Sequence, residues 1–329
     1  MTGLRLSLAL DEFGLPQPEA GAIVIRNPVQ GADLSALPRD RSVVVTGFQP
    51  DFTHFEQQGF RCVTEWDEPA ALTLVCLSRA KDKTRAAIAR ASAQSGVVVV
   101  DGVKTDGVDA VLRDCRKRVD LSGPVNKAHG KLFWFAGDTT AFDDWAAQGP
   151  REVAPGLTTL PGVFSADGID PASEALAKAL PAKLGRDVAD LGAGWGYLSS
   201  RILQIEGIET VHLVEAEHDA LACARRNLDD ARAQFHWQDA RIWTPEGRLD
   251  AVVMNPPFHT GRTAEPELGR DFIRAAARLL KPSGQLWMVA NRHLPYETTL
   301  GSCFGDVTLV TGDNRFKIFH ARRPSRQAG

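Results

Sequence analysis

Asn255, Pro256, Pro257 and Phe258 follow the apolar run "LDAVVM", and few sequences are worse suited to extending a strand. Proline fixes its own φ and restrains the residue before it to extended geometry. The stretch is suited to holding a few groups still. The side-chain oxygen of Asn255 and the carbonyl of Pro256, held side by side, can each accept an N–H from one planar amine. Two such bonds draw the nitrogen lone pair out of conjugation, toward the tetrahedral geometry in which it can take up a methyl group in line. Phe258 offers a face on which a flat acceptor can stack. Catalysis of this kind works by orientation and electrostatics and needs no strong base. A rigid Asn-Pro turn after a strand is common, so the motif is informative only in company.

That company is "VADLGAGWGYLSS", which sets Gly192, Ala193, Gly194 and Gly196 between a strand and a helix. Backbone without Cβ atoms approaches a ligand closely, and the helix start beyond it offers free N–H groups. A dinucleotide loop reads G-x-G-x-x-G, and its third glycine falls here on Tyr197. This disfavours a nicotinamide cofactor and favours S-adenosylmethionine, which carries no phosphate. Asp190 and the glycines would meet its methionine end. Glu215, at the end of the next strand, stands where an acid reaches both ribose hydroxyls, and Asp239 with Ala240, after the third strand, would reach the adenine edge. Each acid taken singly reads as a surface carboxylate, Asp239 above all. In this order the set points to one cofactor. The acceptor stays open at this point: adenine, guanine or a glutamine amide. An assembly factor that keeps the fold without the chemistry, and a dehydrogenase, are the readings from other classes.

These residues need a sheet to bring them together. "RDVADL", "TVHLVE", "QFHW", "LDAVVM" and "QLWMVA" read as strands, separated by the helical patterns "YLSSRILQIEG", "HDALACARRNLDDA" and "RDFIRAAARLL". Apolar strands alternating with amphipathic helices mean a doubly wound parallel sheet, and "DVTLV" with "RFKIFHA" around "TGDN" adds an antiparallel edge hairpin. The first half repeats the rhythm in "RSVVVTGF", "LTLVCLS", "TRAAIARASAQSG" and "VVVVDG". Its matching loop carries Ser78, Arg79, Ala80 and Lys81 in place of Asn-Pro-Pro-Phe, so one active site per chain is expected. The Gly- and Pro-rich "AAQGPREVAPGLTT" puts the domain boundary near Pro155. Among 329 residues, 43% are hydrophobic and the net charge is -3, which leaves ample core and no global positive field for nucleic acid. The amino terminus reads as mature protein, and no apolar stretch is long enough for a bilayer. Five scattered cysteines fit reduced core thiols and no metal site. A soluble cytoplasmic protein is expected.

"LPGVFSADGID", "DLGAGWGYLS", "NPPFH", "VANRHLPY" and the terminal "TGDNRFKIFHA" together resemble the ribosomal RNA small subunit methyltransferase C family, as do "SRAKDKTRAAIA" and "GPVNKAHGKLFWF" in the first half. The resemblance covers nearly the whole chain. It implies two tandem Rossmann-like methyltransferase domains: a degenerate one over 1–155, as scaffold or RNA clamp, and a catalytic one over 156–329 with a seven-stranded doubly wound sheet. It also implies formation of N2-methylguanosine in 16S ribosomal RNA, within the small ribosomal subunit, by a monomer that needs neither metal nor membrane. The family's cofactor residues fall on Asp190, Gly192, Gly194, Glu215 and Asp239, and its acceptor residues on Asn255, Pro256, Pro257 and Phe258. Phe164 and Asp170 would touch the cofactor, although Asp170, before Pro171, reads equally well as a helix N-cap. His259 has no role that can be derived. Arg292 departs from a position that is usually uncharged in the family and is a candidate phosphate contact. Other basic candidates for RNA are Arg315, Lys317, Arg322, Arg323 and Arg326, with Lys81, Lys83, Lys127 and Lys131 in the first half.

Overall fold

Runs of β-branched residues such as 43–45, 97–100 and 252–253 supply central strands in both halves, apolar on both faces because helices cover each side. In the computed structural model, which describes residues 2–257 and 266–325, they build two seven-stranded mixed sheets. Each sheet belongs to its own compact unit, Met1–Gly149 or Pro150–Gly329. The first holds β1 (Ile23–Arg26), β2 (Ser42–Val45), β3 (Arg61–Val63), β4 (Ala70–Cys76), β5 (Ser95–Val103), β6 (Ser122–Lys127) and β7 (Gly130–Ala136), in the spatial order β3-β2-β1-β4-β5-β7-β6. Its helices are α1 (Thr2–Asp11), α2 (Gln49–Gln57), α3 (Lys81–Gln94) and α4 (Val108–Cys115). Arg5 of α1 is buried and grips Asp101 of β5 through two bonds of 2.5 and 2.8 Å. A buried charge is tolerable only when paired in this way.

The second unit opens with a hairpin, β8 (Arg151–Ala154) and β9 (Leu157–Thr159), and continues through β10 (Asp187–Leu191), β11 (Thr210–Glu215), β12 (Ala233–Trp237), β13 (Leu249–Met254), β14 (Leu280–Asn291), β15 (Phe304–Gly312) and β16 (Phe316–Pro324). The order β12-β11-β10-β13-β14-β16-β15 matches the first sheet strand for strand, with β16 antiparallel to both neighbours. Its helices are α5 (Pro171–Ala179), α6 (Tyr197–Ile202), α7 (His218–Asn227), α8 (Pro266–Leu279) and α9 (Glu297–Cys303). The expected boundary at Pro155 falls in the turn of the β8–β9 hairpin. That hairpin is tied to the second unit, since Asn227 of α7 accepts the Thr158 N–H at 2.8 Å and donates to the Thr158 carbonyl at 2.9 Å. The division therefore lies ahead of it, between Gly149 and Pro150. No helix among the described residues is long and apolar enough to cross a membrane.

On one face of the second sheet Val188, Leu213 and Val253 pack with Leu176, Ile202 and Leu221 of α5, α6 and α7. On the other, Leu191, Met254 and Met288 pack with Phe272 and Ile273 of α8 and Leu300 of α9. Tyr296, fully buried, lies under α8 where Gly269 leaves room, and its hydroxyl finds no hydrogen-bond partner among the described residues. A Cβ at position 269 would stand 2.0 Å from that hydroxyl oxygen. Alanine normally stabilises a helix over glycine by about 1 kcal/mol, but overpacking a closed core outweighs that gain. Gly269→Ala is expected to lower the unfolding free energy in urea by about 1–3 kcal/mol. Adding Tyr296→Phe should recover part of the loss, because the hydroxyl that clashes satisfies no bond.

Candidate active site

The strand order turns between β10 and β13: β11 and β12 lie on one side of this pair, β14 on the other. Open parallel sheets bind ligands at the carboxyl ends of strands at such a switch point. Leu191 pairs with Met254 across the two strands, so the loops that begin at Gly192 and at Asn255 leave the sheet side by side. A cleft between them is lined by Phe164, Ser165, Asp170, Ser173, residues 192–195, Tyr197, Leu198 and Asn255. Its described lining carries no lysine or arginine.

Gly192 and Gly194 hold φ of 76° and 56°, a region in which side chains with a Cβ are strained. A Cβ at Gly192 would also sit 3.5 Å from Phe272 and 3.9 Å from Pro257, so the glycine loop and the proline pair are near neighbours. The N–H groups of Gly192 and Ala193 both donate to the Val214 carbonyl, at 2.8 and 3.2 Å. The Gly194 N–H donates to Glu215 Oε2 at 2.8 Å, and the Glu217 N–H to Glu215 Oε1 at the same distance. Asn227 donates to the Trp195 carbonyl at 2.8 Å and pins the end of the loop. Gly196, at φ 89°, directly precedes α6 and faces Ala224 of α7 and Leu228 just beyond it, and is not part of the cleft lining.

Asp190 lies beneath this loop with no exposed surface. Ser199 Oγ donates to its Oδ2 at 2.7 Å, while Oδ1 has no partner among the described residues. Burial pushes the carboxyl up to about 7 against the pull of the Ser199 bond, and the negative charge of Glu215 adds to the rise. Burial raises Glu215 as well. A buried acceptor with an unused oxygen, a second acid beside it and a glycine loop open at Gly194 fit a ligand with a cationic amine and hydroxyl groups. They do not fit a pyrophosphate.

Asn255 donates through Nδ2 to Asp170 Oδ2 and to Ser173 Oγ, both at 2.9 Å. Asp170 Oδ2 also accepts the Ser173 N–H at 2.8 Å and so caps α5, whose first residue is Pro171. Pro256 is buried and Pro257 exposed. Phe164 stands at the cleft with 58% of its surface exposed. Five residues placed with the cofactor by sequence lie outside the cleft lining: Asp190, Gly196, Glu215, Asp239 and Ala240. Asp239 is held by Arg241 through contacts of 2.6 and 2.9 Å, and Ala240 is buried in the core. Phe258 and His259 lie outside the described residues, as does Arg326. Sequence reasoning missed Ser173 and Asn227, which have no motif of their own and meet partners 82 and 69 residues away, and Ser199, which lies inside the glycine-loop stretch and reaches Asp190 nine residues back.

The chain matches the Methyltransferase small domain family over residues 155–320. It is 31% identical over 238 residues to ribosomal RNA small subunit methyltransferase C of Shewanella halifaxensis, covering 68% of each chain. It belongs to that family. The protein of the same name from Hahella chejuensis is 28% identical over 328 residues, 94% of this chain and 93% of that one. A large subunit methyltransferase G of Shewanella amazonensis is 34% identical over half of this chain and 45% of its own. Among solved structures, the T. thermophilus 16S rRNA N2 methyltransferase in complex with AdoMet and guanosine aligns with a TM-score of 0.78 at 22% identity, covering 94% of this chain and 90% of that one. The tandem sheets are thus an architecture shared with that protein.

The Asp190 carboxyl gives a stability test. A carboxyl whose folded value is raised takes up a proton on folding, so its cost to stability grows as pH rises from about 4 to 7 and then levels off. Asp190→Asn removes that cost. In urea unfolding the variant is expected to exceed the parent by on the order of 2 kcal/mol at pH 8, with the gap closing toward pH 4. A gap independent of pH would refute the assignment.

Proposed function

We propose that this chain transfers a methyl group to the exocyclic N2 of guanine in small-subunit ribosomal RNA. The observation that carries this reading is the meeting, in one cleft, of an acid-backed glycine loop with the exit of β13 at Asn255. Membership of the family and the names of its members support the guanine and the small subunit. S-adenosylmethionine, when bound, supplies the methyl group. The unpaired Oδ1 of Asp190 would accept from the ammonium of its methionine part, and Glu215, with each oxygen holding one backbone N–H, retains lone pairs for ribose hydroxyls. Asp239 is the weaker member of the set, since Arg241 occupies its carboxylate.

Asn255 Oδ1 and the Pro256 carbonyl would each accept one N–H of the guanine amine, with Pro257 restraining Pro256 to the extended geometry that aims its carbonyl. Phe258 would stack on the base. The nitrogen gains the methyl and afterwards releases a proton to solvent, so the site needs orientation more than a base. All these residues belong to one unit of one chain, which supports action as a monomer; the family's ribosomal RNA substrate is what supports a place in the cytoplasm. A guanine drawn out of a helix loses stacking, a cost of a few kcal/mol that phosphate contacts can offset. Arg292 and Arg315 are exposed where β14 meets β16 and are candidates for those contacts.

The first unit has the same strand order without this chemistry. β1 carries no acid, and at the exit of β4 Thr84 Oγ1 donates to the Ser78 carbonyl at 2.9 Å and closes the loop on itself. It is read as a scaffold or RNA clamp. The partial likeness to a large subunit methyltransferase favours, as second reading, the same reaction on large-subunit RNA.

Both readings meet one experiment. Labelled S-adenosylmethionine is incubated with each ribosomal subunit from cells lacking the protein, and the RNA is digested. The expected product is N2-methylguanosine in the small-subunit RNA, falling by about 10²-fold or more with Asn255→Ala. Label confined to large-subunit RNA selects the second reading, and label on adenine or protein sinks both.

A further inference from the structure

Resting on the reading of Asn255 as the group that accepts from the substrate amine, we propose that Asp170 and Ser173 are positioning residues that fix which end of the Asn255 amide faces the substrate. An asparagine side chain has nearly the same shape with its oxygen and nitrogen exchanged, so packing alone does not choose between them. Here hydrogen bonding chooses. Both N–H groups of Asn255 are spent, one on Asp170 Oδ2 and one on Ser173 Oγ, each at 2.9 Å. Only Oδ1 is left to meet a substrate. The reversed amide would turn Oδ1 toward a carboxylate oxygen, two acceptors at hydrogen-bonding distance. Losing a charge-assisted bond and gaining that repulsion both oppose the reversal.

The partners are themselves held. Ser173 is 7% exposed and donates its N–H to the same Asp170 oxygen at 2.8 Å. Carboxylate, serine and amide form one closed set at the first turn of α5, and the amide inherits the rigidity of the helix start. The consequence is specificity by hydrogen-bond sign. An Asn255 side chain that presents only an acceptor takes an amine and repels a carbonyl oxygen, so on guanine it admits the N2 edge and turns away O6. Asp170 then acts through Asn255 and is not itself a cofactor ligand.

The test uses the full-length protein, reading kcat, KM for RNA and the dissociation constant for S-adenosylmethionine. One oxygen of Asp170 both caps α5 and accepts from Asn255, so Asp170→Asn, which can keep an oxygen in that place, is expected to keep both bonds and to hold kcat within about tenfold of the parent. Asp170→Ala removes the acceptor. Its kcat is expected to fall by about 10²-fold, the scale of a misoriented catalytic group, with cofactor affinity unchanged. Asn255→Asp brings two carboxylates together and is expected to fall similarly. Ser173→Ala, which removes one of two anchors, should lower kcat less than Asp170→Ala does. The proposal is overturned by an Asp170→Ala protein that keeps kcat, with or without a loss of cofactor affinity, or by an Asp170→Asn protein that falls as far as Asp170→Ala does. Failure of the underlying reading would look different: Asn255→Ala would keep full activity.

Discussion

Leu191 lies opposite Met254, and this register between two parallel strands decides where the chemistry can be. Both strands end at that level, so the chain must leave the sheet there twice, once through glycines and once through Asn-Pro-Pro. The glycine exit bends toward the neighbouring β11 because its backbone N–H groups turn to Val214 and Glu215 there. The proline exit cannot bend in that way, since prolines lack the N–H groups that such a turn would use. A cleft between a tight loop and a stiff one follows from the two compositions.

Charge then sorts the ligands. Asp170 lines the cleft, Asp190 lies beneath it and Glu215 is bonded to its rim, while the described lining carries no cation. Burial raises the two inner carboxyls, which tells how strongly that ground disfavours further negative charge. The basic residues stand elsewhere on the unit, as with Arg292 and Arg315 near the β14–β16 pairing. A cationic cofactor inside and a polyanion outside is the division such a surface supports.

Much of this was legible from the sequence, and the reasons are local. Strands 187–191, 210–215 and 249–254 announce themselves by apolar runs, and the edge hairpin by "TGDN", where Asp313 Oδ1 accepts the N–H groups of Arg315 and Phe316. The glycine spacing and the prolines speak through backbone rules that need no tertiary context. What stayed hidden depends on partners far along the chain. Ser173 meets Asn255 across 82 residues, and Asn227 meets Thr158 across 69. The helix expected over "YLSSRILQIEG" ends at Ile202, with turns running on to Gly207 at φ 84°. α9 escaped notice because "ETTLGSC" is short and carries two β-branched residues and a glycine. Asp170 was read two ways, and its N-cap role is seen directly, together with a bond to Asn255 that no local pattern could announce.

One oxygen atom, Oδ2 of Asp170, begins a helix and also turns an amide. Most positions let a chain trade robustness against activity, because different atoms serve the two. Here a single atom serves both, so mutational drift at 170 is scored on fold and on turnover at once. Asparagine, which can set an oxygen in the same place, would be the conservative exception: a substitution that leaves the helix start and the amide as they were.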